Sequence, residues 1–304
     1  MKRFLPVKIA IILTICFVFV QCTVVVLGLN SDVYGRFDGP GPDISWVTGD
    51  YARDEFRFYS GKNRLQGFIY GNAVAAPKGL VVISPGIYSF ADEYDKMIRN
   101  LVDAQWRVFS YNGTGVGGSE GNSMRGLSQG VVDLDAALTY IKNTSDFNGL
   151  PVMLLGYSWG GYSVCAVLNY KHNVKAVVSL AGFNSTQEAI KNQVVEKVGF
   201  LYYLIFPNQW SLEKQIFGDI AYFTAVDGLN KSQVSALIVL CSDDEIIPAH
   251  TISIYANRKN IKNEKAQYLY LQGEEAHGHY FKYYPPEKDL YTKVINFLND
   301  SLAD

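Results

Sequence analysis

The chain has 304 residues, 48% of them hydrophobic and 18% charged, with 27 basic against 29 acidic side chains. That length suits one large α/β domain or two small ones. A net charge near −2 gives no basic field for nucleic acid, and 21 Tyr with 17 Phe exceed what a disordered chain carries.

Ile9 through Leu29 contains no charged residue, and as a helix these 21 residues would span roughly 31 Å, enough to cross a bilayer. Lys2, Arg3 and Lys8 precede the run and the next charged residue is Asp32. The positive-inside rule therefore predicts a cytoplasmic N-terminus with the rest of the chain outside. Ile9 to Val20 also reads as the apolar region of a cleaved signal, ending at Val20-Gln21-Cys22 or Val26-Leu27-Gly28. Residues 1–30 are thus expected to be a transmembrane anchor or a signal peptide, which leaves 31–304 either membrane-anchored on the extracytoplasmic side or secreted. Gln21 before Cys22 argues against a lipid-modified cysteine, because a small residue is needed there. Without the three leading cations the remainder carries a net charge near −5, so charge alone will not hold it to an anionic bilayer. Cys165 and Cys241 lie in apolar runs as small hydrophobes, and neither zinc spacing nor a disulfide framework is present. No metal and no cofactor are expected.

The elements alternate β-rich runs with helical periodicity, the pattern of a mostly parallel sheet covered by helices. Phe56–Tyr59 and Leu65–Tyr70, joined through Gly61-Lys62-Asn63, predict an opening antiparallel hairpin. Leu80–Ile83 is a short buried strand, followed by a helix over about Asp92–Gln105. Arg107–Tyr111 is the next strand. Gly126–Lys142 is the next helix, with Val131, Leu134, Ala137, Leu138 and Ile141 at helical spacing. Strand Val152–Gly156 leads into a helix over about Gly160–Tyr170. Strands at Val174–Leu180, Ala236–Cys241 and Gln267–Leu271 complete the set, and Leu290–Leu298 predicts a closing helix.

Gly156-Tyr157-Ser158-Trp159-Gly160-Gly161 carries the chemistry. A buried strand ends directly in Gly-x-Ser-x-Gly and a helix begins, so small residues on either side let the backbone turn sharply and present Ser158 above the sheet edge. The helix N-terminus then offers free N–H groups to a developing oxyanion. A serine hydroxyl needs a histidine to take its proton and an acid to orient that histidine. Of the four histidines, His172 falls a helix length away from Ser158, and His250 more naturally starts a helix. His277 and His279 follow the last predicted strand, in Glu274-Glu275-Ala276-His277-Gly278-His279. His277 is the expected base, since Gly278 behind it suits a close loop, and His279 is the alternative; with His277 as base, His279 takes a supporting or surface role. The acid is expected at the preceding strand end, Cys241-Ser242-Asp243-Asp244, where Asp244 is chosen for its place four residues before Pro248 and Asp243 is the alternative. The order Ser158, Asp244, His277 is that of one particular fold.

From Phe56 to Leu302 the chain resembles the α/β-hydrolase family, in its esterase/lipase and serine aminopeptidase-like branches. The resemblance rests on Ser84-Pro85-Gly86-Ile87, the Tyr111 to Gly121 turn, the Gly156 to Gly161 elbow and the acid and histidine loops. It implies an α/β-hydrolase fold, a mostly parallel sheet flanked by helices, with a helical cap insertion at about 184–230, to which the uncharged run adds an N-terminal apolar helix. It also implies an oxyanion hole built from the backbone N–H groups of Ile87 and Trp159. Pro85 stands where many members carry histidine, which removes one local support for that loop. The Gly113 to Gly118 turn contains a Gly-x-Gly-x-x-Gly spacing, but no ribose-binding acid follows, and the turn is typical of this family.

Phe200, Tyr202, Tyr203, Phe206, Trp210, Phe217, Tyr222 and Phe223 crowd the cap segment. They read as packing between cap and core, with a second role as an apolar wall for an acyl or aromatic group. The expected activity is a serine hydrolase acting on a carboxylic ester or thioester through an acyl-enzyme. The partners are then a small acyl substrate or a peptide, and the membrane through the N-terminal segment. A serine aminopeptidase is the rival, for which Glu188, Glu196 or Glu213 could hold a substrate amine. A non-catalytic binding protein on the same scaffold is the second rival, since function lives in the site and not in the fold.

Overall fold

A computed structural model describes residues 33–273, 276–283 and 287–303, together with Lys8, Gly28, Asn30 and Ser31. The expected anchor or signal over 1–30 lies almost wholly outside the described residues, as do Cys16 and Cys22. Among the described residues no helix is long and apolar enough to cross a membrane.

Eight strands form one sheet: β1 Arg53–Ser60, β2 Asn63–Tyr70, β3 Leu80–Ser84, β4 Arg107–Tyr111, β5 Val152–Tyr157, β6 Ala176–Leu180, β7 Ser235–Cys241 and β8 Ala266–Leu271. Their spatial order is β1-β2-β4-β3-β5-β6-β7-β8. The opening hairpin is antiparallel, closes on Ser60 opposite Asn63, and pairs antiparallel with β4; every later pairing is parallel. Gly61 takes the positive φ that a two-residue hairpin loop demands. Every residue of β3, β6 and β7 is buried, as expected of strands covered on both faces, whereas the edge strand β1 is half exposed.

Seven helices are described: α1 Asp95–Asp103, α2 Gln129–Lys142, α3 Trp159–Ala166, α4 Thr186–Val198, α5 Tyr202–Phe217, α6 Ala225–Ser232 and α7 Glu287–Asp300. Alternation along the strands splits the core in two. Val82, Leu154 and Val177 pack toward α2, α3 and the helices between β6 and β7. Val81, Ile83, Met153, Leu155 and Val178 pack toward α1 and α7. Met97, Ile98, Leu101 and Val102 form the buried stripe of α1, each side chain contributing about 1.5–3 kcal/mol of burial.

The helix bounds differ from those expected, the closing helix running Glu287–Asp300. The helix expected from Asp92 opens as a 3-10 turn, Ala91–Tyr94, before α1. The one expected from Gly126 begins at Gln129, because Arg125 and Gly126 take non-helical positive φ (64° and 159°), and the Glu213 carboxylate accepts the Ser128 N–H (2.7 Å) at the entrance. The helix after the elbow ends at Ala166 and continues only as a 3-10 turn, Val167–Asn169. His250 starts no helix; its Nε2 lies 3.2 Å from the Tyr270 hydroxyl. The stretch before β1, read as no element, lies across the sheet end: Phe37 N–H donates to Gly115 and its carbonyl accepts from Gly117 N–H, and Tyr34 is buried.

Candidate functional site

The site sits where β5 meets α3. Ser158 has φ 55° and ψ −114°, a conformation that side chains rarely adopt and that persists only when the surroundings impose it. They do so by proximity. A Cβ on Gly156 would lie 2.1 Å from the Gly160 carbonyl oxygen, and one on Gly160 would lie 2.0 Å from that of Ser84. Only glycine lets α3 press this closely on the ends of β5 and β3. The Ser158 N–H donates to Leu180 (2.7 Å), its carbonyl accepts from Tyr162 N–H (3.1 Å), and the hydroxyl is left at the strand end.

Asp244 follows β7 and is buried. Its Oδ1 accepts the N–H groups of Ile246 (3.0 Å) and Ile247 (2.7 Å), which fixes the carboxylate plane and leaves Oδ2 facing the histidine loop. His279 receives it: Nδ1 lies 2.8 Å from Asp244 Oδ2, and Nε2 lies 2.9 Å from Ser158 Oγ. An ionised carboxylate only accepts, so Nδ1 carries the ring proton and Nε2 offers its lone pair to the serine hydroxyl.

The structure thus places His279, and not the expected His277, against Ser158. Gly278, at φ 58°, turns the chain so that the residue after it is the one delivered to the site. His277 lies before the turn, where its backbone N–H faces the Cys241 sulfur. Asp243 does not reach the imidazole either; its Oδ1 accepts the Gly278 N–H at 3.0 Å. His172 is engaged elsewhere, with Nε2 2.7 Å from Asp135 Oδ1.

Ile87 and Trp159 stand on adjacent strand ends, since β3 pairs with β5 through Ser84 and Gly156. Trp159 is the first residue of α3, a position whose N–H has no acceptor inside the helix. Gly86 N–H donates to the Tyr94 hydroxyl (2.8 Å), so a tyrosine from the following 3-10 turn supports the loop that Pro85 leaves without histidine.

The glycine-rich turn after β4 is occupied by the protein itself. Thr114, Gly115, Val116 and Gly117 N–H groups donate to Asp133, Glu120, Gly113 and Phe37. The N–H groups that a phosphate would need are therefore committed. Asp133 also accepts from Ser60, Gln129 and the Thr114 hydroxyl, and burial pushes its carboxyl up against these bonds. Burial likewise pushes the Cys165 thiol up to about 12 and that of Cys241 up to about 11, which makes both poor nucleophiles. Among the described residues no cluster of three or more His, Cys, Asp or Glu could hold a metal ion.

Between β6 and β7 the chain forms α4, α5 and α6. The aromatic residues there divide: Trp210 and Phe217 are buried, whereas Phe200, Tyr203 and Tyr222 are exposed. A groove of about 370 Å³ runs between Glu188 and Lys191 of α4 and Tyr202, Tyr203 and Phe206 of α5. Glu213 of α5 is buried, accepts the Ser128 N–H, and fastens this segment to the entrance of α2; burial holds its carboxyl above the usual carboxylate range. Glu188 caps α4 with Ser185, and Glu196 accepts from Asn192 (2.8 Å).

A family model described as serine aminopeptidase, S33, matches residues 75–217. Monoglyceride lipase of Homo sapiens is 33% identical over 92 residues, 30% of this chain and 30% of that protein. A monoglyceride lipase homolog of Monkeypox virus is 33% identical over 91 residues, 30% of this chain and 33% of its own length. The chain spans about a third of the length of these curated relatives. In fold, an esterase of Pyrococcus furiosus aligns with TM-score 0.65 at 14% identity, covering 88% of this chain and 98% of its own. Est1E from Butyrivibrio proteoclasticus, with ferulic acid bound, aligns with TM-score 0.61 at 17% identity, covering 82% and 100%. The sheet order, the strained serine at the β5–α3 turn and these likenesses together show that the chain has the α/β-hydrolase fold.

Proposed function

We propose that the protein is a serine hydrolase that cleaves a carboxylic ester or thioester through an acyl-enzyme. The observation that carries this is the imidazole of His279, bonded to Asp244 through Nδ1 and to Ser158 through Nε2. His279 takes the Ser158 proton as Oγ attacks the acyl carbon, and Asp244 stabilises the imidazolium that forms. The carbonyl oxygen, now negative, is received by the Ile87 and Trp159 N–H groups. His279 then protonates the leaving alcohol or thiol, and a water, deprotonated by the same imidazole, releases the acid.

The three carboxylates that a peptidase could use on a substrate amine each have another partner: Glu188 at the α4 cap, Glu196 on Asn192, Glu213 on Ser128. Their engagement favours ester over peptide. The partial likeness to monoglyceride lipases makes monoacylglycerols the lipid esters to test first, with p-nitrophenyl esters, acyl thioesters and aminoacyl anilides beside them. Faster turnover of the esters supports the proposal, and turnover confined to the anilides contradicts it.

The uncharged run Ile9–Leu29 supports an anchored or exported domain, with the residues between β6 and β7 as its cap. Gln209 of α5 donates to Asn30 Oδ1 (3.1 Å), so the chain leaves the leader beside that cap. A membrane tether would then hold the domain by its cap side.

A further inference from the structure

We propose that Tyr157 is a positioning residue for the general base, acting on His279 through the backbone of its loop. This rests on the reading of Ser158, His279 and Asp244 as the catalytic triad. Tyr157 is the residue between glycine and serine in the elbow, a place where the motif sets no side chain. Here its ring is buried, its hydroxyl donates to the His279 carbonyl at 2.6 Å, and its ring centroid lies 5.2 Å from that of His279. The nucleophile and the group that holds its base are therefore adjacent in the chain, on the same rigid strand end.

A second contact has the same logic. Asp243, adjacent to the acid Asp244, accepts the Gly278 N–H, adjacent to the base. The chain neighbours of the nucleophile and of the acid thus grip the backbone on the two sides of the His279 Cα, one through its carbonyl and one through the preceding N–H. Within the histidine loop's own sequence only Gly278 bears on the choice between His279 and His277, two residues earlier. The two grips hold the register in which His279 follows the Gly278 turn. Neither group touches the acyl carbon in the proposed reaction, so their effect must pass through the placement of the imidazole. A displacement of about 1 Å at a catalytic group can cost on the order of a hundredfold in rate.

Tyr157→Phe keeps the buried ring and removes only the hydroxyl. The test measures kcat and KM for a p-nitrophenyl ester in wild type, Tyr157→Phe, His279→Ala and the double variant, with active sites counted by fluorophosphonate titration of those that label. The expected result is a fall in kcat of roughly 10- to 100-fold with KM unchanged. In the His279→Ala background the same substitution should cost nothing further, because there is no base left to position. A kcat within about twofold of wild type, or the same fold loss in both backgrounds, overturns the inference. Full activity in His279→Ala removes the triad reading instead, and the inference with it. Asp243→Ala serves as the second variant, expected to lower kcat roughly tenfold, again only while His279 is present; an equal loss without His279 counts against the proposal.

Discussion

Nε2 of His279 stands 2.9 Å from Ser158 Oγ across 121 residues of chain, while His277, two residues before it, lies on the other side of the Gly278 turn. The consequence for activity is sharp. His279→Ala should lower kcat by about 10⁴-fold or more, whereas His277→Ala should stay within roughly threefold of wild type. Ester hydrolysis by the two purified variants checks this directly.

The paired aspartates predict a second contrast. Asp244→Asn can keep an oxygen toward the Ile246 and Ile247 N–H groups, but it presents an NH₂ to His279 Nδ1 and so favours the wrong tautomer. A loss of about 10⁴-fold in kcat is expected. Asp243→Asn can still accept the Gly278 N–H and should retain most activity. Comparable losses in the two variants would contradict the assignment of Asp244 as the acid.

Much of this site was legible in the sequence because it is local. Gly156, Ser158 and Gly160 lie within five residues, and the close approach of Gly156 to Gly160 needs no distant information. Asp244 was legible from its place after a buried strand. The choice between His277 and His279 was not, because it is made by Tyr157 and Asp243, which reach the loop from 122 and 35 residues away. The one local signal is Gly278, which suits a close loop beside either histidine; its positive φ delivers the residue after it. The apolar stripe of α2 is legible, with Val131, Leu134, Ala137, Leu138 and Ile141 all buried, because periodicity alone determines which face of a helix is covered.

Glu213 should leave a signature in the pH dependence of stability. Burial raises its carboxyl in the folded protein, so the folded state binds that proton more tightly than the unfolded one. Its contribution is therefore most favourable at low pH and declines as pH rises from the unfolded carboxylate range through the raised folded value. Thermal midpoints of wild type and Glu213→Gln between about pH 5 and about pH 8 test this. The wild type should lose stability relative to the variant as pH rises, and parallel profiles would refute the assignment.

Gly160→Ala probes the elbow as a packing device. Its Cβ would meet the Ser84 carbonyl oxygen at 2.0 Å, so β3 or α3 must move. A destabilisation of about 3 kcal/mol is expected by chemical denaturation. An unchanged midpoint would show that the strand end yields freely.

The most direct test of the central claim is covalent labelling by a fluorophosphonate probe, read by intact mass. Wild type and His277→Ala should each gain one adduct at Ser158 at similar rates, Ser158→Ala should gain none, and His279→Ala should label far more slowly. Labelling of Ser158→Ala equal to wild type, or slow labelling of His277→Ala with normal labelling of His279→Ala, would contradict the account.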